Sequence, residues 1–374
     1  MAGIYIHIPF CKKKCYYCDF FSIASSSRKI EYIESLIKEI NLRKEYLGDD
    51  IIKSIYFGGG TPSLLEIDEL NRILNQIENY FKLSENCEIT IEVNPEDINE
   101  EYIELLSDTK VNRISIGIQS LNDNILKFLG RRHNSQKAYE VVRLFQKAGF
   151  INISIDLIYG IPGLSIKQLT DTLDKIIELN LMHISTYHLT IEPKTVLYKK
   201  LTDNKINIIS EEESLWQYNI IKEKFRKYDY EQYEISNFAK NNLFSIHNVG
   251  YWTQQKYLGI GASAHSYDGN SRQWNVSDVK KYIESLNKGN IACEIEYLSN
   301  NDKYNEYIMT RLRTKWGINL EEIEQLFGND LYKYFIDNSR KFIENNDLYQ
   351  NHENILITEK SLYISDYIIS NLMI

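Results

Sequence analysis

Six short β-branched runs, GIYIHI (3 to 8), IIKSIYF (51 to 57), EITIEV (88 to 93), RISIGI (113 to 118), INISIDLIY (151 to 159) and HISTYHLTI (183 to 191), alternate along the chain with amphipathic stretches. The runs predict strands. The stretches between them, such as KIEYIESLIKEINLRKEYL (29 to 47) and SQKAYEVVRLFQKAGF (135 to 150), repeat apolar residues every three or four positions and predict helices. Repeated βα units imply a parallel sheet, either a partial barrel or a doubly wound one, because parallel neighbours need a crossover between them. Chemistry is then expected on the loops that leave the C-terminal ends of the strands.

From about residue 231 the rhythm breaks into EQYEISNFAK, a glycine-rich YLGIGASAHSYDG and short polar connections. The last eighty residues or so read as helices, a hairpin around LYQNHENILIT and a final helix, which resembles a small winged-helix unit. The expected organisation is therefore a core over 1–230, a connecting segment over 231–290 and a mainly helical unit over 291–374. A formal charge of −9, with no long lysine or arginine block, argues against a protein that grips nucleic acid through phosphates. The N-terminus places its apolar run before its lysines, the reverse of a secretory signal, and the run is too short to span a bilayer. A cytoplasmic protein is expected.

Cysteine usage fits that compartment. Three of five cysteines, Cys11, Cys15 and Cys18, stand at CxxxCxxC spacing directly after the first strand, while Cys87 and Cys293 are isolated. Clustered cysteines in a reducing compartment point to metal rather than disulfides. Three thiolates at this spacing can wrap one face of a compact inorganic core and leave one metal corner free. A structural zinc site is the rival, but it closes four ligands, usually as two separated pairs. No second pair exists here, so zinc would have to recruit His7 or Cys87.

The cysteine motif resembles that of the radical S-adenosylmethionine (SAM) superfamily, and the resemblance implies a partial (β/α)6 TIM-type barrel. It implies a 4Fe-4S cluster on Cys11, Cys15 and Cys18, with SAM chelating the open iron. It also carries over Gly59, Gly60 and Thr61 of YFGGGTP, Glu92 of IEVNPE, Gln119 of GIQSLND, Arg131 of LGRRHN and Asp156 of IDLIYGIPG as SAM-contacting residues. Their types suit the ligand: carboxylates for an ammonium or ribose hydroxyls, an arginine for a carboxylate, an amide for polar edges. Tyr5 resembles a SAM-contacting tyrosine, whereas His7, beside it on the same face, has no assigned role. Injecting an electron into a sulfonium needs a cluster near the reducing end of a range that reaches about −700 mV. Lys12, Lys13 and Lys14 cover the cysteine loop and would suit an acidic low-potential donor such as a flavodoxin.

The resemblance narrows to the family of oxygen-independent coproporphyrinogen III oxidases and their haem-chaperone relatives, on YIHIPFC, CYYCDF, FGGGTP, DLIYGIPG, EISNFAK, HNVGYW and GIGASAHSY. The oxidases carry a further cysteine two residues after the third; here that position is Phe20. HNVGYW, His247 to Trp252, matches the HNxxYW signature of the chaperone branch, whose histidine is implicated in holding haem. An imidazole can serve as an axial iron ligand, and Tyr251 and Trp252 offer flat apolar area to a porphyrin. A haem chaperone that binds cluster, SAM and haem and delivers haem to apo-proteins of the respiratory chain is the leading expectation. A porphyrinogen-decarboxylating oxidase is the alternative. An RNA-modifying radical SAM enzyme would call for a basic appendage that the sequence lacks. No catalytic residue is assigned, and whether two copies associate, what His188 and His265 do, and whether SAM is cleaved are left open.

Overall fold

The computed structural model describes residues 1–374. Strands β1 (Ala2–Ile8), β2 (Ile52–Gly59), β3 (Leu83–Val93), β4 (Arg113–Gln119), β5 (Asn152–Tyr159) and β6 (His183–His188) lie side by side in chain order and run parallel. The fold is the expected α/β partial barrel. Each strand alternates isoleucine with something polar, and the two sets of side chains part to opposite faces. Ile4, Ile6, Ile55, Ile91, Ile114, Ile155 and Ile184 are fully buried in one apolar core with Leu36, Ile40, Ile73, Val141 and Leu173 of the crossover helices. Local signals fix where those helices start. Glu66 and Glu69 form a reciprocal cap at Ile67–Tyr80, and Ser165 and Gln168 do the same at Ile166–Glu178.

The opposite, inner face is polar, and it is buried as well. Ser54, Glu88, Thr90, Arg113, Ser115, Ser154, His183 and Ser185 all sit there with almost no exposure. Several of them meet one another or the segment that follows the sixth strand: Ser154 Oγ lies 2.7 Å from His183 Nδ1, and Glu88 faces Arg113 at 3.9 Å.

Residues 231–290, expected as a connecting segment, extend the main sheet at both edges. Strand β7 (Glu231–Gln232) pairs antiparallel with β8 (Asn237–Ala239), which in turn adds antiparallel to β6. After the helix Ile246–Trp252, strand β9 (Lys256–Ile260) joins β1 in parallel. It is followed by β10 (His265–Tyr267), β11 (Ser271–Asn275) and β12 (Cys293–Tyr297), all antiparallel, to give a twelve-stranded open sheet. The C-terminal unit has its own apolar core, from Tyr304 to Leu372. It is built from helices Asn300–Arg311, Leu320–Phe327, Asn329–Glu344 and Ser365–Leu372 around a three-stranded sheet, β13 (Ile318–Asn319), β14 (Leu348–Asn351) and β15 (Asn354–Ile357). A bridge between Glu234 and Thr314 and an ion pair between Lys315 and Glu231 at 2.8 Å tie this unit to the barrel. No helix is long and apolar enough to cross a membrane.

Candidate functional site

The loops at the C-terminal ends of β1 to β6 converge on a cavity of about 540 Å³. Its wall contains Cys11, Cys15, Cys18, Gly59, Gly60, Thr61, Glu92, Gln119, Arg131 and Asp156, which is ten of the twelve residues singled out from the sequence. The cysteine loop is tied down at both ends. The Cys11 N–H donates to Ile23 O at 2.9 Å, the Ile23 N–H to Pro9 O at 2.7 Å, and the Tyr16 N–H to Leu129 O at 3.0 Å. His7 adds a bond of 2.9 Å between Nε2 and Phe21 O, while its Nδ1 meets Tyr5 Oη at 3.1 Å. Burial lowers its pKa to about 4, so it is a neutral prop for the loop.

Burial also raises the Cys11 thiol and pushes Cys18 up to about 11. As free thiols these two are protonated at neutral pH, so a metal must displace their protons on binding. Two neighbours already favour negative sulfur: Thr61 Oγ1 donates to Cys11 Sγ and Arg131 Nη1 to Cys15 Sγ, both at 3.4 Å. No three His, Cys, Asp or Glu side chains converge closely enough for a single metal ion. Three thiols on one loop, facing an open cavity with no fourth cysteine in its wall, suit a polynuclear iron core held at three corners. Gly60 passes directly under that loop. A Cβ there would meet Phe10 O and Pro9 C at 2.8 Å and Ile8 O at 2.9 Å, which are backbone atoms with nowhere to go.

The rest of the wall is built for a charged, polar ligand. Glu92 accepts from Tyr56 Oη at 2.8 Å and from the Gly59 N–H at 3.3 Å, yet burial first and the Asp156 charge second lift its pKa to about 7. Burial raises Asp156 too. Two acids kept from ionising comfortably gain most when a cation enters between them. Opposite them, Arg131 Nη2 donates to Asn94 Oδ1 at 2.5 Å and Gly117 O at 2.7 Å, and its Nε is buried without a partner. Gln119 holds a left-handed φ of 61° at the end of β4, a conformation that costs a non-glycine residue on the order of 1 kcal/mol. Such strain at a strand end places its amide in the wall.

Several wall residues escaped the sequence reading. Asn94 links Arg131 to Thr61 through Nδ2–H to Thr61 Oγ1 at 3.0 Å, and its only sequence signal was its place two residues after Glu92. Tyr17 and Tyr187 also line the cavity, as does His188, whose role the sequence left open. Lys12 pairs with Asp97 at 2.7 Å and Lys14 reaches Phe20 O at 3.4 Å, so the lysine run is partly engaged with its own loop.

Tyr5 and His247 are not in the cavity wall. The helix that begins at Ile246 docks on the inner face of β1 and β2, with the Ile246 and His247 N–H groups donating to Glu88 at 3.0 Å each. His247 stacks on Tyr56 at 5.0 Å and Tyr5 at 6.3 Å, Nδ1 lies 2.9 Å from Ser54 Oγ, and Nε2 lies 2.9 Å from Tyr251 Oη. Both ring nitrogens are spent, and burial lowers its pKa to about 3. As placed, the one lone pair of the neutral ring accepts from a hydroxyl, which a metal would have to displace. His265 stacks on Trp274 and does not line this cavity.

Residues 5–176 match the model of the radical SAM superfamily, and residues 298–364 match the HemN C-terminal domain. The chain is 34% identical to heme chaperone HemW of Lactococcus lactis over 99% of its own length and 97% of that protein's. It is 34% identical to the Bacillus subtilis heme chaperone HemW over 88% of both chains. The chain belongs to the HemW family. This HemW-family chain also superimposes on the coproporphyrinogen III oxidase HemN of Escherichia coli with a TM-score of 0.86, covering 100% of this chain and 90% of that one at 22% identity. That likeness concerns the fold. Membership of the radical SAM superfamily implies a 4Fe-4S cluster and SAM as the HemW-family cofactors.

Two outcomes follow from the cavity wall. Gly60→Ala pushes the cysteine loop aside, and iron per chain after anaerobic reconstitution drops several-fold while the far-ultraviolet circular dichroism is kept. The second concerns pH. Because the folded-state pKa of Glu92 lies above its unfolded value, wild type binds the extra proton when folded and loses stability as pH rises toward and past 7. Glu92→Gln removes that slope, so its stability relative to wild type, measured by urea unfolding of the metal-free chain, improves by on the order of 2 kcal/mol between pH 5 and pH 8.

Proposed function

We propose that this protein carries haem on a radical SAM scaffold, taking it up and passing it to apo-proteins, with respiratory-chain proteins as recipients. The observation that carries this reading is the likeness to two proteins named heme chaperone HemW, one of them across 99% of the chain. The cysteine loop supports it: Phe20 stands where the oxidases carry a fourth cysteine, and the residue is 71% exposed where it lines the cavity.

In this reading Cys11, Cys15 and Cys18 hold the cluster, and the wall from Gly59 to Asp156 holds SAM. The bound cluster supplies low-potential electron chemistry toward a sulfonium. Arg131 and Thr61 offset the negative charge that gathers on the sulfurs, and the Arg131 Nε has no other partner to give up. Glu92 and Asp156 receive a cationic group, and Gly59 and Gly60 let backbone approach it closely. The exposed ends of Lys12, Lys13 and Lys14 steer an acidic electron donor of the flavodoxin type.

Anaerobic titration of the reconstituted chain with hemin should give a saturable Soret band. The same sample, given SAM, reductant and coproporphyrinogen III, should release no protoporphyrinogen. Turnover at enzymatic rates, or a wild-type chain that takes up no haem, ends the proposal. For the electron donor, exchanging the three lysines for glutamine should slow cluster reduction by a flavodoxin several-fold at low ionic strength and hardly at all at high salt. An unchanged rate at low salt removes that role.

A further inference from the structure

A second cavity, of about 900 Å³, opens between the barrel end and the C-terminal unit, and its wall is aromatic. Tyr159, Tyr187, Tyr251 and Trp252 come from the barrel and the segment after it, Tyr363 and Tyr367 from the end of the chain. Tyr218 completes the wall and already has Lys222 Nζ over its ring at 5.3 Å, whereas no cation of the chain lies over the other six rings.

The charges in this wall do not cancel. Glu211, Glu234 and Asp366 stand against Arg313 alone, and Arg313 pairs with Asp366 at 2.6 Å. Desolvation lowers the pKa of His188, so that ring adds no positive charge near neutral pH. Glu211 and Glu234 are left without an ion pair. Glu234 is only 4% exposed, takes a hydrogen bond from the neutral Asn237 Nδ2, and is lifted to about 7 by burial. Asn237, also 4% exposed, lines the cavity too, and its Oδ1 has no hydrogen-bond partner. A buried acid without a cation, an orphan acceptor beside it and a set of aromatic rings free of cations together call for a donor that brings positive charge.

The chemistry of the wall selects among cations. A guanidinium is planar, stacks on tyrosine and tryptophan faces, and has a fork of N–H donors that can serve a carboxylate and an amide oxygen together; an ammonium is a hydrated point charge. Negative charge also continues to the surface. Glu211 is exposed on one unit and the Asp366 side chain is 81% exposed on the other, with Tyr367 61% exposed next to it in the chain. An ion pair as open as that of Arg313 with Asp366 contributes little and can be exchanged for an incoming cation. A small amine would leave these outer groups idle, but an arginine carried on a polypeptide brings neighbours that meet them.

We infer that this cavity is a docking site for a partner protein, which inserts an arginine from a basic, exposed segment, its guanidinium against the aromatic wall and donating to Glu234. The inference goes beyond the haem-carrying function proposed above and does not require it.

The test uses the full, anaerobically reconstituted chain and a fluorescein-labelled octapeptide of alternating arginine and glycine, followed by fluorescence anisotropy. The peptide should bind saturably at one site per chain. The same peptide with citrulline, which keeps the shape of arginine and loses its charge, should bind at least tenfold more weakly, and the lysine peptide several-fold more weakly. Glu234→Gln preserves the size of the buried group and should cost about tenfold in affinity. Tyr367→Ala, at an exposed position that leaves the fold intact, should cost several-fold. Glu294→Gln combined with Glu296→Gln, on the exposed strand β12, removes more charge than either and should match wild type. An equal loss in that control and in Glu234→Gln, or wild-type affinity in both cavity variants, overturns the inference. So does spermidine that displaces the arginine peptide and binds more tightly than it, because the site is then one for a small amine.

Discussion

The structure depends on the opposite chemistry of the two faces of its parallel strands. In most eight-stranded barrels apolar side chains fill the interior; here isoleucine is sent outward to the helices, and serine, tyrosine, glutamate, arginine, aspartate and histidine are sent inward. A buried polar face must find hydrogen-bond partners or water. Near the N-terminal ends of the strands the partners come from the chain itself. The helix Ile246–Trp252 inserts its first turn against Ser54 and Glu88, and Tyr233 reaches His183 at 2.8 Å. Near the C-terminal ends the sheet is left uncovered, so Glu92, Asp156, Gln119 and Arg131 face open space instead. One alternation of residue types thus produces both a closed floor and a receptive mouth.

That division also explains how much could be read from sequence. The six core strands were legible because each carries a β-branched run and is followed by an amphipathic helix, and the structure places them within about five residues of the expected bounds. The cavity residues were legible through the family resemblance that the cysteines and the glycine-rich turn carry; strand ends in a parallel barrel point to one place, but a polar residue at one of them, taken singly, reads as well as a surface ion pair or turn. Asn94 was missed because an asparagine before a proline reads equally well as a turn.

Residues 231–297 were less legible for a physical reason. Their strands are two to five residues long, and they pair with β1 and β6, more than 200 and about 50 positions away in the chain. Pairing at such distance leaves no local periodicity to read. His247 illustrates the same gap at the level of one side chain. Its sequence neighbours suggest a free imidazole beside two aromatic rings, but Ser54 and Tyr251 consume both nitrogens, and Ser54 lies 193 positions away.

The two cavities share a wall made by Tyr187, His188 and Thr190, at and just beyond the end of β6. Because β6 is the last parallel strand, its C-terminal end is where the barrel stops and the antiparallel strands β8 and β7 begin. A closed barrel would place a further strand and loop there, and the two spaces would be separated by backbone. The incomplete barrel leaves only side chains between them. A molecule lying against Tyr187 or His188 on the cysteine side touches side chains that the aromatic cavity also presents, so the two spaces adjoin through shared residues rather than through a long path in the fold.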